Sequence, residues 1–128
     1  MPVGYLQARK GVRLQGPVVA IIAAGNGGGL PVFQQSTFAA QIGTRTFRIK
    51  RIKGLNQAGV DTLVHIGTGI AGAIVDVIPP LWTFSTLNFD FVEADLPEVE
   101  VNADLMAWAV AAGAGTPVTI QVEVEEIG

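Results

Sequence analysis

The chain has 128 residues, of which 49% are hydrophobic and 15% charged, with 16 Gly, 7 Pro, no Cys and a formal net charge of −3. That composition fits one folded domain and excludes intrinsic disorder, zinc ribbons, thiol catalysis and a disulfide framework. A compact monomer of 13.4 kDa exposes roughly 6,500 Å² by the scaling of surface with mass, which so few charged groups cannot cover, so part of the outside is expected to lie against other subunits.

In chain order, residues 3–14 and 18–24 read as strands or an extended arm, separated by Gly16 and Pro17. The apolar run 18–24 is far shorter than the roughly 20 residues a bilayer-spanning helix needs. Arg9, Lys10 and Arg13 before an apolar stretch ending at Ala23, Ala24 and Gly25 resemble a signal peptide, but Pro17 interrupts the apolar part, so the amino terminus is expected to be retained. Residues 25–29 form a glycine-rich loop, and 30–38 read as an edge strand. Residues 1–40 are therefore predicted to be an amino-terminal arm with edge strands, and 41–128 the sandwich core.

Residues 44–52 alternate with Phe47 and Ile49 inside, until Arg51 falls in the inward phase; a bulge near Lys50 or Arg51 would restore the alternation. Residues 60–66 put Val60, Val64 and Ile66 on one face and Asp61, Leu63 and His65 on the other. Residues 73–78 are short and apolar, and Pro79 and Pro80 end them. Residues 81–92 carry apolar groups on both faces (Leu81, Leu87, Phe89 and Phe91 against Trp82 and Phe84), which predicts one strand covered from both sides. Residues 105–112 and the strongly alternating 117–126 read as a hairpin joined through Gly113 and Gly115. Eight or nine short strands at this spacing predict an all-β, single-domain antiparallel sandwich, jelly-roll-like, with an extended amino-terminal arm.

Charge is divided by sign. All eight bases (Arg9, Lys10, Arg13, Arg45, Arg48, Lys50, Arg51, Lys53) precede residue 54, and all eleven acids follow residue 60. Either the two halves pair across one sheet, or the basic amino-terminal segment lies on the acidic face of a neighbouring subunit. On the second reading the assembly interface comprises Tyr5, Arg9, Lys10 and Arg13 on one side and Asp95, Glu98 and Glu100 on the other. A nucleic-acid surface over residues 48–53 is disfavoured by the acidic balance and by Phe47 being the one aromatic beside those bases.

Four features bear on chemistry. Gly67, Gly69 and Gly72 fit the G-x-G-x-x-G spacing after a strand, but Pro79 and Pro80 come too soon for a crossover helix, so a glycine-rich hairpin is expected and no cofactor. His65, the single histidine, shares a face with Asp61 and is the candidate base of a small enzyme, although Ser36 and Ser85 lack a nucleophile-elbow context. Asp90, Glu93 and Asp95, followed by Glu98 and Glu100, supply oxygen ligands of the kind calcium uses, without the glycine-spaced order of a calcium loop. Tyr5, Trp82 and Trp108 could stack on sugars, which makes a carbohydrate-binding module the rival reading.

The strand at residues 60–66, the proline-marked turn, the aromatic strand and the terminal ADLMAWAVAAGAGTPVTIQVEVEEIG resemble the small β-sandwich proteins of tailed-phage virions, of jelly-roll or tumour-necrosis-factor-like topology, over residues 45–128. The resemblance implies a capsid decoration or cement protein with no enzymatic activity, made in the host cytoplasm and located on the capsid surface. It further implies a homotrimer with an amino-terminal arm that reaches a neighbour or another virion protein, and no membrane partner.

Overall fold

A computed structural model describes residues 12–36 and 45–127. Among them, eleven short strands form two antiparallel sheets. The first has β4 (Phe47–Asn56) and β11 (Val118–Glu126) at its centre. Along the outer edge of β11 run β1 (Arg13–Gln15) and β2 (Val19–Ile21), and along the outer edge of β4 run β8 (Asn88–Phe91) and β9 (Glu100–Val101). The second sheet runs β3 (Leu30–Phe33), β10 (Leu105–Ala109), β5 (Thr62–Thr68), with β6 (Val75–Asp76) and β7 (Leu81–Thr83) sharing the far side of β5. The expected all-β sandwich is what the chain forms.

The core follows from period-two patterning. Along β11, Val118, Ile120, Val122 and Val124 are fully buried, while Thr119, Gln121, Glu123 and Glu125 between them stay partly exposed. Each inward side chain contributes about 1.5–3 kcal/mol relative to an exposed one. In β4 the alternation is rescued as expected: Glu123 lies opposite Arg51 but Val124 lies opposite Ile49, so Lys50 is the extra residue of a bulge and Phe47, Ile49 and Ile52 all point inward. Ile21, Val32 and Phe33 pack in the same core as Leu105, Ala107 and the β11 valines. The described part of residues 1–40 is thus edge strands of both sheets around one core.

Two expectations are corrected. Residues 81–92 are not one strand: the chain turns at Phe84–Leu87, with Thr86 at φ 63°, and β7 and β8 lie in different sheets. The Ser85 amide donates to the Asp61 carboxylate and the Thr86 amide to the Asn56 carbonyl, which satisfies the turn. Similarly, β10 and β11 do not pair with one another. The tight turn between Gly113 and Thr116 carries the chain from one sheet to the other.

Residues 67–72 form a hairpin between β5 and β6, as the sequence suggested, with Gly69 at φ 116° and Gly72 at φ 88°. The segment after it pairs as β6, so the crossover helix of a dinucleotide fold is absent there. A Cβ on Gly69 would meet the Ala73 carbonyl oxygen at 2.6 Å. Gly69→Ala is expected to cost about 1–3 kcal/mol, because both backbone angle and space are wrong for a side chain. Gly115→Ala, where a Cβ meets nothing within 4 Å, should change the urea midpoint little.

Candidate interaction faces

The outer face of the first sheet is charged, and most of its charges are paired within the chain. Arg13 on β1 reaches Glu93 at 3.1 Å and Glu123 at 3.4 Å. Arg51 holds Asp90 with two hydrogen bonds, of 2.8 and 2.6 Å. Arg48 lies 3.6 Å from Glu100, while Arg45 lies 3.7 Å from Glu126, which is buried on the inward side of β11 at its end. Lys50, turned outward by the bulge yet only 5% exposed, donates to Glu93 at 2.6 Å and lies 3.3 Å from Glu125. Strand order explains the pattern: basic β4 lies between acidic β11 and the acidic strands β8 and β9.

These contacts shift the titration of the groups involved. The hydrogen bond from Lys50, with the charges of Lys50 and Arg13, holds the Glu93 carboxyl below the usual carboxylate range. The hydrogen bond from Arg51 does the same for Asp90. A lowered folded-state value means the unfolded chain takes up the proton first, so this stabilisation is complete at neutral pH and fades as pH falls through the carboxylate range. The Lys50 ammonium, raised mainly by its hydrogen bond to Glu93, adds stability that persists below its ordinary value and fades only as pH rises past it. Urea midpoints are therefore expected to be level near neutrality and to fall in acid, with a smaller acid slope in Glu93→Gln.

The outer face of the second sheet is apolar and aromatic. Leu63 and His65 point away from the core that Val64 and Ile66 fill. Leu63 lies opposite Trp82 and His65 opposite Trp108. The imidazole stacks on the Trp108 indole at 3.7 Å and 3°, with Nδ1 2.8 Å from Asp76 Oδ2. Trp82 is 50% exposed, Phe84 56% and Val110 48%, and the Trp82 and Phe84 rings meet edge to face at 6.4 Å. Among the described residues, no base lies on a strand of this sheet.

His65 thus pairs with Asp76 on the neighbouring strand. Asp61, its expected partner, is taken by the Ser85 amide, and Ser36 donates to Asp104. No serine is brought to the histidine. Asp90 and Glu93 are bound by bases, and Asp95 accepts from the Val92 amide; no cluster of three metal-ligating side chains occurs among the described residues. Of the proposed assembly residues, Arg13 lies on acidic surface, but on that of its own chain, since β1 pairs with β11. Glu98 and Glu100 are exposed, and Tyr5, Arg9 and Lys10 lie outside the described residues. Lys53 lines a shallow depression of about 390 Å³ with Val18, Leu55 and Gln121, and its charge acts on Asp90. No helix among the described residues is long and apolar enough to cross a membrane.

Sequence reasoning missed Asn56. It is fully buried at the end of β4; its Nδ2 donates to the Val60 carbonyl and to Thr83 Oγ1, and its Oδ1 accepts from the Ala58 amide. A lone Asn before Gln57 and Gly59 looks like turn chemistry, and nothing in the spacing marks it as a link between sheets.

No protein-family model matches the chain, and no curated protein sequence matches it. Among solved structures it is similar to the cryo-EM structure of the extra small virus VLP of the giant freshwater prawn Macrobrachium rosenbergii, at 10% identity and a TM-score of 0.37, over 91% of this chain and 80% of that one.

Proposed function

We propose that the chain is a structural, non-catalytic subunit of a virus particle, a capsid decoration or cement protein that self-assembles, with a trimer as the expected state. The observation that supports this reading is the contrast between the two outer faces. On the first sheet, most of the charge is paired within the chain. On the second, Trp82, Phe84 and Val110 are about half exposed in one neighbourhood with Leu63. Half-exposed aromatics grouped on one sheet are the anchors from which protein interfaces are built.

Light scattering at micromolar concentration tests the assembly, and a monomer there overturns it. Antibody raised against the chain should label density-gradient-purified particles from the sample that carries the gene; label confined to the soluble fraction overturns the virion assignment. The exposed Trp82 also favours a sugar-binding module, but the Phe84 ring stands at 84° to it and makes a corner where a flat platform would serve a sugar. A glycan-array signal that disappears in Trp82→Ala would establish that rival.

A further inference from the structure

The attachment of β1 is thin and polar. Its residues run exposed, half-buried, exposed, so Leu14 is its one contribution to the core. The remaining contacts are its short ladder with β11, the Glu126 amide on the Val12 carbonyl, a 3.4 Å hydrogen bond from the Gln121 side chain to Gln15, and the pairs of Arg13 with Glu93 and Glu123. Exposed ion pairs contribute about 0–1 kcal/mol each, and edge segments held this way open far more readily than a sheet centre.

The chain is also built to part just after β1. Gln15 lies opposite Glu123 and Val19 opposite Ile120, so Gly16, Pro17 and Val18 span only two residues of β11. Pro17 cannot donate to the ladder. Beyond it, β2 is pinned by Ile21, which is fully buried. Parting at Pro17 therefore frees β1 together with Gly16, once Gly16 gives up its two hydrogen bonds to β11 (its amide to the Val122 carbonyl, 2.8 Å; its carbonyl from the Gln121 side chain, 2.9 Å), and leaves β2 in place.

What remains is a specific recipient: an unpaired β11 edge flanked by Glu93, Glu123 and Glu125, with Lys50 the base in contact with two of them. An extended segment that is apolar at Leu14 and cationic at Arg13 fits it, and Lys10 and Arg9 precede that segment in a stretch without an acid. A second copy of this chain supplies that segment. We infer that β1 exchanges between copies, the strand of one molecule docking on the β11 edge and the Glu93–Glu123 surface of its neighbour. Exchange recreates every contact of the closed chain, so the opening cost is recovered, and copies held together raise the effective concentration of the donated strand. The inference rests on the proposed self-assembly for that proximity. Protonation of Glu93, which needs a pH below the usual carboxylate range, removes part of the clamp and should speed exchange.

The absence of native cysteine makes cross-linking a clean test. Arg13 and Glu125 are directly opposed across the β1–β11 ladder, whereas Thr119 faces Ala20. Chains carrying Arg13→Cys and chains carrying Glu125→Cys are mixed at the concentration used for light scattering and oxidised. Exchange predicts a covalent heterodimer on a non-reducing gel, absent when Thr119→Cys replaces Glu125→Cys. Mixtures that stay uncross-linked while the Arg13→Cys, Glu125→Cys double variant closes within one chain overturn the exchange. If light scattering shows an oligomer in that case, the assembly reading stands without it; a monomer with no heterodimer overturns both.

Discussion

Replacing Trp82 and Phe84 together by glutamate is expected to convert the assembled protein to a folded monomer. Both side chains are about half exposed in the single chain, so in the monomer each carboxylate stays in water and the fold loses little. Assembly through the second sheet would take both positions out of water. A buried interface aromatic commonly accounts for 2 kcal/mol or more, so losing two weakens association by about a thousandfold before the cost of burying two carboxylates is added. Sedimentation equilibrium reads the association and circular dichroism checks that the strands persist. Ile22→Glu, at a residue 53% exposed just after β2 of the first sheet, is the matched control and should assemble normally. If the double variant assembles like the parent, the aromatic face is not the interface.

How far the fold was legible depends on how local the signal is. β11 was readable residue by residue, because one face is core and the other water. The bulge was readable because Arg51 and Ile52 cannot both keep phase, and the register puts the extra residue at Lys50. Residues 81–92 misled because aromatics on both faces look the same whether one strand is covered on both sides or two strands in different sheets each expose some of theirs. Gly113–Thr116 misled for a related reason: the turn chemistry that closes a hairpin also serves a crossing between sheets. Among the described residues, the β5–β6 pair is the one hairpin of consecutive strands, so most of the pairing is set by packing at long sequence range, which no window of residues contains.

The same limit governed the charges. Complete separation of sign along the chain fits both a sheet that pairs its own halves and a segment that docks on a neighbour. Strand order decides between them for residues 45–53, because β4 is enclosed by acidic strands. It does not decide for Arg13, whose acidic site on β11 is equally complete when filled by the strand of another copy. Pairing energies at exposed sites are too small to force either choice, and concentration therefore selects.

Asn56→Leu is expected to be among the most destabilising single changes in the domain, at about 2–4 kcal/mol, even though leucine has the same branched layout of side-chain heavy atoms. The amide is a junction: Nδ2 reaches the Val60 carbonyl at 3.0 Å and Thr83 Oγ1 at 3.2 Å, and Oδ1 takes the Ala58 amide at 2.8 Å. Thr83 in turn donates to the Thr62 carbonyl at 2.9 Å, and Thr62 Oγ1 accepts from the Ala111 amide at 3.1 Å. One side chain on β4 thus joins the first sheet to β5 and β7 of the second, and leucine would take the acceptor from the half-buried Ala58 amide and the donor from the buried Thr83 hydroxyl. Each stranded group costs about 1–3 kcal/mol, and the added apolar burial offsets only part of that. Thr83→Val removes a single hydroxyl from the same network, so its cost should be smaller, and the double variant should fall short of the sum because both changes break one shared bond. The Thr86 amide rests on the Asn56 carbonyl and the Asn56 amide on the Leu87 carbonyl, so a displaced Asn56 also shifts the turn that carries Phe84. Asn56→Leu should therefore weaken assembly as well as lower the urea midpoint, whereas Thr83→Val should lower the midpoint with little effect on association. Additive costs in the double variant, or an unchanged midpoint in Asn56→Leu, would show that the two sheets are held by apolar packing without this link.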